Sequence, residues 1–149
     1  MEHAGIWVTV FIVLFVLGSV LGLKVSPREK ALGLMREKAR KMGLHPRIVP
    51  APAWTKIPKA TEDRASMVAY YSVLIPDGRL ALLQAIVEEG QLKVVQGEQK
   101  FNGTTLALKG IYAIDMQSNS VGLYWDEESD LRATQLDAMK NFLLALAAR

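Results

Sequence analysis

The chain has 149 residues, half of them hydrophobic, and its 18 Lys or Arg and 15 Asp or Glu give a formal net charge of +3. This length suits one domain with a single core, and the lack of cysteine excludes disulfide bonds, thiolate metal sites and lipoprotein processing. Lys24–Arg64 holds eleven basic and four acidic residues, a net charge of +7, whereas Ala65–Arg149 holds seven and ten, a net charge of −3. Basic residues confined to one segment do not indicate a nucleic-acid-binding surface.

Ala4–Leu23 is an uncharged run of twenty residues. At about 1.5 Å of rise per residue, a helix of this length spans a hydrocarbon core of roughly 30 Å, so the sequence predicts a transmembrane helix at residues 4–23 after a short extracytoplasmic tail at residues 1–3. The positive-inside rule predicts a single-pass protein of the bacterial inner membrane, with the N-terminus outside and the C-terminal domain in the cytoplasm. A cleavable signal peptide is the alternative, but the basic start and the cleavage site that it needs are absent.

Three small residues near the end of this run, Gly18, Ser19 and Gly22, are predicted to form a helix-packing surface. A G-x-x-x-G spacing lets two helix backbones approach closely, which would suit a homodimer or a membrane-protein partner. The alternative is that small residues are simply common in membrane helices.

Residues 24–43 form a predicted basic juxtamembrane helix, capped by Ser26 with Glu29 and stopped by a left-handed Gly43. Its apolar stripe is expected to pack on the domain, and its basic side chains are expected to contact anionic lipid headgroups. These predicted lipid contacts are Lys24, Arg28, Lys30, Arg36, Lys38, Arg40 and Lys41.

Residues 44–149 are predicted to form one cytoplasmic α+β domain, a mostly antiparallel sheet with two flanking helices. Leu44–Val49 is predicted to be an edge strand because Pro46 cannot donate a ladder hydrogen bond, and residues 50–64 resemble a proline-punctuated linker. Further predicted strands are Ser66–Ile75, Gln91–Val95, Thr105–Lys109, Ile111–Met116 and Val121–Trp125.

Arg79–Glu88 fits either a helix or a strand, and the turn at Pro76–Gly78 favours a strand that forms a hairpin with Ser66–Ile75. The last predicted helix runs from about Leu131 to Ala148 and follows an acidic cluster that suits a helix start. Its predicted core face is Leu136, Met139, Phe142, Leu143 and Leu146.

The sequence predicts no catalytic residue, no cofactor and no metal site. The acidic cluster Asp126–Asp130 could hold a hard cation, but it lacks the spacing of a calcium loop and a helix start explains it better. Catalysis would need His45 with a distant carboxylate, which nothing in the local sequence arranges. The tyrosines could stack on a ligand, although aromatic residues on strands are usually core.

The basic S-P-R-E-K start within Gly18–Leu44 and the V-G-L-Y-W-D-E segment Val121–Glu127 resemble small uncharacterised single-span proteins of proteobacteria, and this resemblance implies no activity. In plan the chain is also similar to the small single-span accessory subunit of the bacterial secretion translocon. That family's arginine-proline-glutamine run after the span is absent, so no site is carried over.

Three functions remain open from the sequence. The first is a membrane-anchored, non-enzymatic binding or accessory subunit of an inner-membrane protein assembly, which the predicted anchor, the basic segment and the lack of a catalytic motif favour. The second is a membrane-surface enzyme built on His45 and carboxylates. The third is a sensor whose sheet face binds a small apolar molecule.

Overall fold

The computed structural model describes residues 2–22, 26–57 and 67–149, and leaves the side chains of residues 2 and 20–22 undescribed. The chain divides into two compact units, Met1–Lys30 and Ala31–Arg149. The helices are α1 (Glu2–Gly22), α2 (Pro27–Lys41) and α3 (Leu136–Ala147), and the strands are β1 (His45–Pro50), β2 (Met67–Leu74), β3 (Leu83–Glu88), β4 (Gln91–Gly97), β5 (Ile111–Gln117) and β6 (Ser120–Trp125).

The prediction of a transmembrane helix at Ala4–Leu23 is corrected by the structure. Over the part of the chain that is described, no helix is both long and apolar enough to cross a membrane. The predictions of a single-pass membrane protein and of an inner-membrane location are corrected by the same finding.

Helix α2 begins and ends where the sequence predicts. The Glu29 amide donates to the Ser26 hydroxyl at 3.2 Å, which confirms the predicted cap. Gly43 has φ +90°, a left-handed conformation that glycine adopts without strain, and it ends the helix. Within the second unit, Met35 and Ala39 are buried in the core, so the apolar stripe packs on the domain as expected.

The described strands form one antiparallel sheet of six, in the order β1-β2-β6-β5-β3-β4. The α+β class with an antiparallel sheet therefore agrees with the prediction. Strand β1 lies at one edge of the sheet, as predicted. Pro46 has no N–H to donate, and an edge strand tolerates this because it has a neighbouring strand on one side only. Of the residues 50–64 that were predicted to be a linker, positions 58–64 lie outside the described residues.

The predicted hairpin between Ser66–Ile75 and Arg79–Glu88 is wrong. β2 pairs with β1 and β6, whereas β3 pairs with β4 and β5. The turn at Pro76–Gly78 instead folds back toward the β5–β6 turn, because the Leu80 amide donates to the Ser118 carbonyl at 3.0 Å. Strand β3 itself begins only at Leu83, so the strand interpretation holds for the second half of that segment.

Two further boundaries differ from the predictions. Thr105–Lys109 is not a strand; its only ladder contact among the described residues is a single bridge between Thr105 and Gln91. The last helix begins at Leu136 and not at Leu131, because Ala133 takes a left-handed conformation at φ +55° and Asp130 accepts the amide hydrogens of Thr134 and Gln135.

The main core lies between α2, α3 and one face of the sheet. Four of the five predicted residues of the last helix are buried there, and Phe142 is partly buried. The largest buried side chains are Tyr71 and Trp125 of the sheet and Phe101 of the loop after β4. The helices therefore fill one face of the sheet and leave the opposite face, here called the outer face, for other contacts.

Candidate functional site

The strand register places side chains on the outer face in two rows that cross the whole sheet, since residues paired between neighbouring strands point to the same side. The polar row is His45, Ser72, Gly122, Asp115, Gln84 and Gln96. The aromatic row beside it is Arg47, Tyr70, Tyr124, Ala113, Ile86 and Lys93. A carboxylate thus lies near the middle of an antiparallel sheet.

The aromatic row is packed and partly covered. Trp54, on a 3₁₀ turn after β1, meets Tyr124 edge to face with ring centroids 5.8 Å apart, and Tyr70 lies 4.7 Å from Tyr124. The Tyr70 ring extends over Gly122, where a Cβ atom would fall inside van der Waals distance of the ring carbons and hydroxyl. Only glycine at position 122 leaves room for this placement of Tyr70.

Next to these rings the outer face has a cavity of about 270 Å³. It is lined by Leu82, Leu83, Gln84, Gln96, Asp115, Met116, Gln117 and Ser118. Asp115 is the one charged residue in this lining, which otherwise offers amide and hydroxyl groups and the exposed side chain of Leu82. The cavity therefore combines polar and apolar surface and carries a single negative charge.

Burial governs the ionisation of this region. It raises the pKa of Asp115 above the usual range, although a hydrogen bond from Gln117 opposes the rise. Burial and the nearby Asp115 charge raise the pKa of Tyr124 to about 12, and they also raise the pKa of Tyr70. The tyrosines are therefore neutral hydrogen-bonding groups at physiological pH.

The buried tyrosines predict a steep loss of stability at high pH. A tyrosine whose pKa is raised by folding stabilises the protein fully below the unfolded value of about 10, and that contribution is lost as the pH rises toward the folded value. Burial also raises the pKa of Tyr71. For Tyr71 and Tyr124 the free energy of unfolding should fall by about 1.4 kcal/mol per pH unit for each residue in that window. Because Tyr112 is only partly buried, phenolate absorbance beyond that of one tyrosine should appear only together with loss of the circular-dichroism signal. Ionisation of more than one tyrosine near pH 10 in a chain that stays folded would contradict this burial.

A second polar cluster lies on the helix side of the sheet. Arg36 of α2 donates from Nε and Nη2 to the two carboxylate oxygens of Glu127, at 2.9 and 2.7 Å. The Tyr71 hydroxyl donates to the same carboxylate at 2.5 Å. The hydrogen bond to Glu127 raises the pKa of Arg36, while burial and then Glu127 raise the pKa of Tyr71. This cluster fastens α2 to β2 and to the turn after β6.

The structure ties several of the predicted lipid contacts to the protein itself. Besides Arg36, Lys38 donates to the Ala133 carbonyl at 3.1 Å and Lys41 pairs with Glu37 at 3.5 Å. The side chains of Arg28, Lys30 and Arg40 are exposed, and Lys24 lies outside the described residues. Contact of these residues with anionic lipid stays a prediction.

The predicted packing surface lies on α1, whose described side chains are all exposed. Nothing in the described chain lies within 4 Å of the place where a Cβ on Gly18 would stand, and the Ser19 hydroxyl donates to the Phe15 carbonyl at 2.9 Å. Gly22 ends the helix. Pairing through these three residues stays a prediction.

The residues considered for chemistry are not brought together. His45 is exposed at the first position of the edge strand β1. Three strand spacings separate it from Asp115, about 14 Å. Asp126 and Asp130 accept backbone amide hydrogens of their own turn. In the described part of the chain no group of three or more acidic or histidine side chains is placed to hold a metal ion.

The sequence reasoning missed the central residues of the outer face. Gln84, Gln96 and Asp115 come from three different strands, and Asp115 is brought beside Gln84 only by the non-local pairing of β3 with β5. A signal was present, because Asp115 is a charged residue inside the otherwise apolar strand Ile111–Met116. No family model, curated protein or solved structure matches the chain, so its function is argued from this geometry.

Proposed function

We propose that the chain is a non-enzymatic binding protein, an accessory subunit of a larger protein assembly that recognises its partner through the outer face of the sheet. The observation that carries the proposal is the cavity in which Asp115 and three glutamines stand beside apolar surface. The other face of the sheet is filled by α2 and α3, and Trp54 covers part of the aromatic row, so among the described residues the part of the outer face around Asp115 is the side of the sheet left for recognition.

Binding suits this cavity better than catalysis. General acid–base or nucleophilic chemistry needs at least two groups in hydrogen-bond reach of each other, such as a nucleophile and its base. Among the described residues that line the cavity, Asp115 is the one acidic or basic side chain, so the lining offers no acid–base pair. Amide, hydroxyl and carboxylate groups beside apolar surface are what a recognition site requires.

Helix α1 provides independent support for a subunit role. Between Ile6 and Leu17 its large apolar side chains are 40–77% exposed. Exposed apolar surface of this extent is typical of surfaces that contact another molecule in the functional state. In the proposal a partner subunit covers it, with Gly18 and Ser19 giving the partner's helix room to approach.

Affinity purification of the full chain in a mild non-ionic detergent tests the proposal. One variant places arginines on the outer face, Gln96→Arg with Gln117→Arg, and a matched control places them on the exposed side of α3, Asp137→Arg with Ala138→Arg. Because all four positions are exposed, both variants are expected to fold. Companion proteins of the parent chain should be lost from the outer-face variant and kept by the control. A parent chain that purifies alone, or companions that survive both changes, would overturn the proposal.

The cavity also favours a second candidate function, a sensor of a small ligand, because small-molecule sites are concave and combine apolar surface with a few polar groups. Native mass spectrometry of the purified chain distinguishes the two functions. A sensor should retain a small molecule that the outer-face arginine variant releases, whereas a purely protein-binding subunit should show the mass of the chain alone.

A further inference from the structure

We propose that the outer-face cavity binds a positively charged nitrogen group on an alkyl chain, a primary ammonium or a guanidinium. The inference rests on the proposed binding role of the outer face and names the chemistry that this face recognises. The cationic group could belong to a small amine, or to the lysine or arginine side chain of a peptide. The experiments below distinguish these two sources.

The charge of the cavity selects a cation. Asp115 is its one charged lining residue, and among the described residues no lysine or arginine forms an ion pair with it. A half-buried carboxylate without a cationic partner is electrostatically costly, and a ligand cation that reaches it removes part of that cost. An anionic ligand would meet the same carboxylate as a repulsive charge.

The hydrogen-bonding groups of the cavity match the donors of such a ligand. An ammonium group has three donors and no acceptor, and a guanidinium has five donors and no acceptor. Gln84 and Gln96 stand beside Asp115 in the polar row, and Gln117 and Ser118 follow it along the chain. Each amide or hydroxyl can turn an oxygen toward the ligand, so several acceptors are available within one cavity.

The apolar part of the cavity fits the rest of the ligand. Leu82 lies in the lining with a largely exposed side chain, which provides apolar surface for methylene groups. A charged head with an aliphatic chain would use both the Asp115 carboxylate and this apolar surface, whereas a bare inorganic cation would use only the carboxylate.

The first test is an NMR titration of the full chain in a non-ionic detergent, observed at the amides of Gln84, Asp115 and Gln117. The probes are n-butylamine as its hydrochloride, n-butanol with the same chain and no charge, and sodium butyrate with the opposite charge. Saturable shifts at these amides with the amine alone are expected. Equal shifts with the alcohol, or no saturable shift with the amine, would overturn the inference.

The second test uses substitution. Asp115→Asn keeps the shape and removes the charge, and it should weaken amine binding by about tenfold or more, because hydrogen bonds to charged groups are the strong ones. Asp137→Asn on the exposed side of α3 is the control and should leave binding unchanged. Since Asp115→Asn removes a charge whose burial opposes folding, this variant is expected to be at least as stable as the parent chain. Unchanged affinity in a folded Asp115→Asn chain would overturn the inference.

Two further probes identify the source of the cation. Tighter binding of putrescine indicates a small amine, and tighter binding of Nα-acetyl-lysine amide or Nα-acetyl-arginine amide indicates a peptide side chain. Failure of all of them overturns the inference. The proposed function is tested separately. If the outer-face arginine variant loses its companion proteins while no amine binds, recognition through the outer face is supported and only the inferred ligand chemistry is wrong.

Discussion

Replacing Arg36 by alanine is expected to lower the free energy of unfolding by about 3 kcal/mol. The substitution leaves the carboxylate of Glu127, whose side chain is 8% exposed, without its bidentate partner. Removing one partner of a buried ion pair typically costs about 3–5 kcal/mol, and the 31% exposure of the Arg36 side chain places the expected effect at the lower end.

Urea denaturation of the full chain measures this effect. Arg40→Ala is the matched control, because Arg40 lies one turn further along α2 with an exposed side chain, and it should change stability by no more than about 0.5 kcal/mol. Arg36→Lys should recover only part of the loss, since an ammonium cannot donate to both carboxylate oxygens in the planar geometry of a guanidinium. Equal stabilities of the Arg36→Ala and Arg40→Ala chains would show that the cluster does not hold α2 in place.

Replacing Gly122 by alanine is expected to cost about 2 kcal/mol, in the range of overpacking substitutions. The new Cβ would occupy space that the Tyr70 ring fills, and Tyr70 cannot move aside freely because it packs against Tyr124. The ring should leave its place over β6, and this would change the near-ultraviolet circular dichroism.

A double-mutant cycle isolates the contact between these two residues. With Tyr70 already replaced by alanine, Gly122→Ala should cost nothing or even stabilise the chain, since alanine is a better strand residue than glycine. If Gly122→Ala costs the same with and without the Tyr70 ring, the ring does not occupy the space over Gly122.

Features set by a few neighbouring residues were predictable from the sequence. The Ser26 cap, the left-handed Gly43, the edge position of the strand with Pro46 and the core face of the last helix all depend on local conformation or on periodicity. Each of these features follows from the conformational preference of one residue or from the spacing of apolar residues, and both can be read from the sequence.

Features set by distant partners were not predictable. The Pro76–Gly78 turn indicated a local hairpin, but β2 takes β6 as its neighbour, and no periodicity reports which strands pair. Arg36 was predicted to contact lipid from its place among other cations, and its ion pair with Glu127, 91 positions away, was not predicted. The Asp115 cavity was missed for the same reason, since three strands contribute to it.

Site-specific photo-crosslinking tests the central claim, recognition through the outer face, most directly. A photoreactive phenylalanine analogue is placed in the full chain at Gln96 or Gln117 on the outer face, or at Asp137 or Ala138 on the exposed side of α3, and crosslinking is carried out in cells. Discrete crosslinked products from positions 96 and 117, and none from 137 and 138, are the predicted result. Products from the α3 positions with none from the outer face would contradict the account.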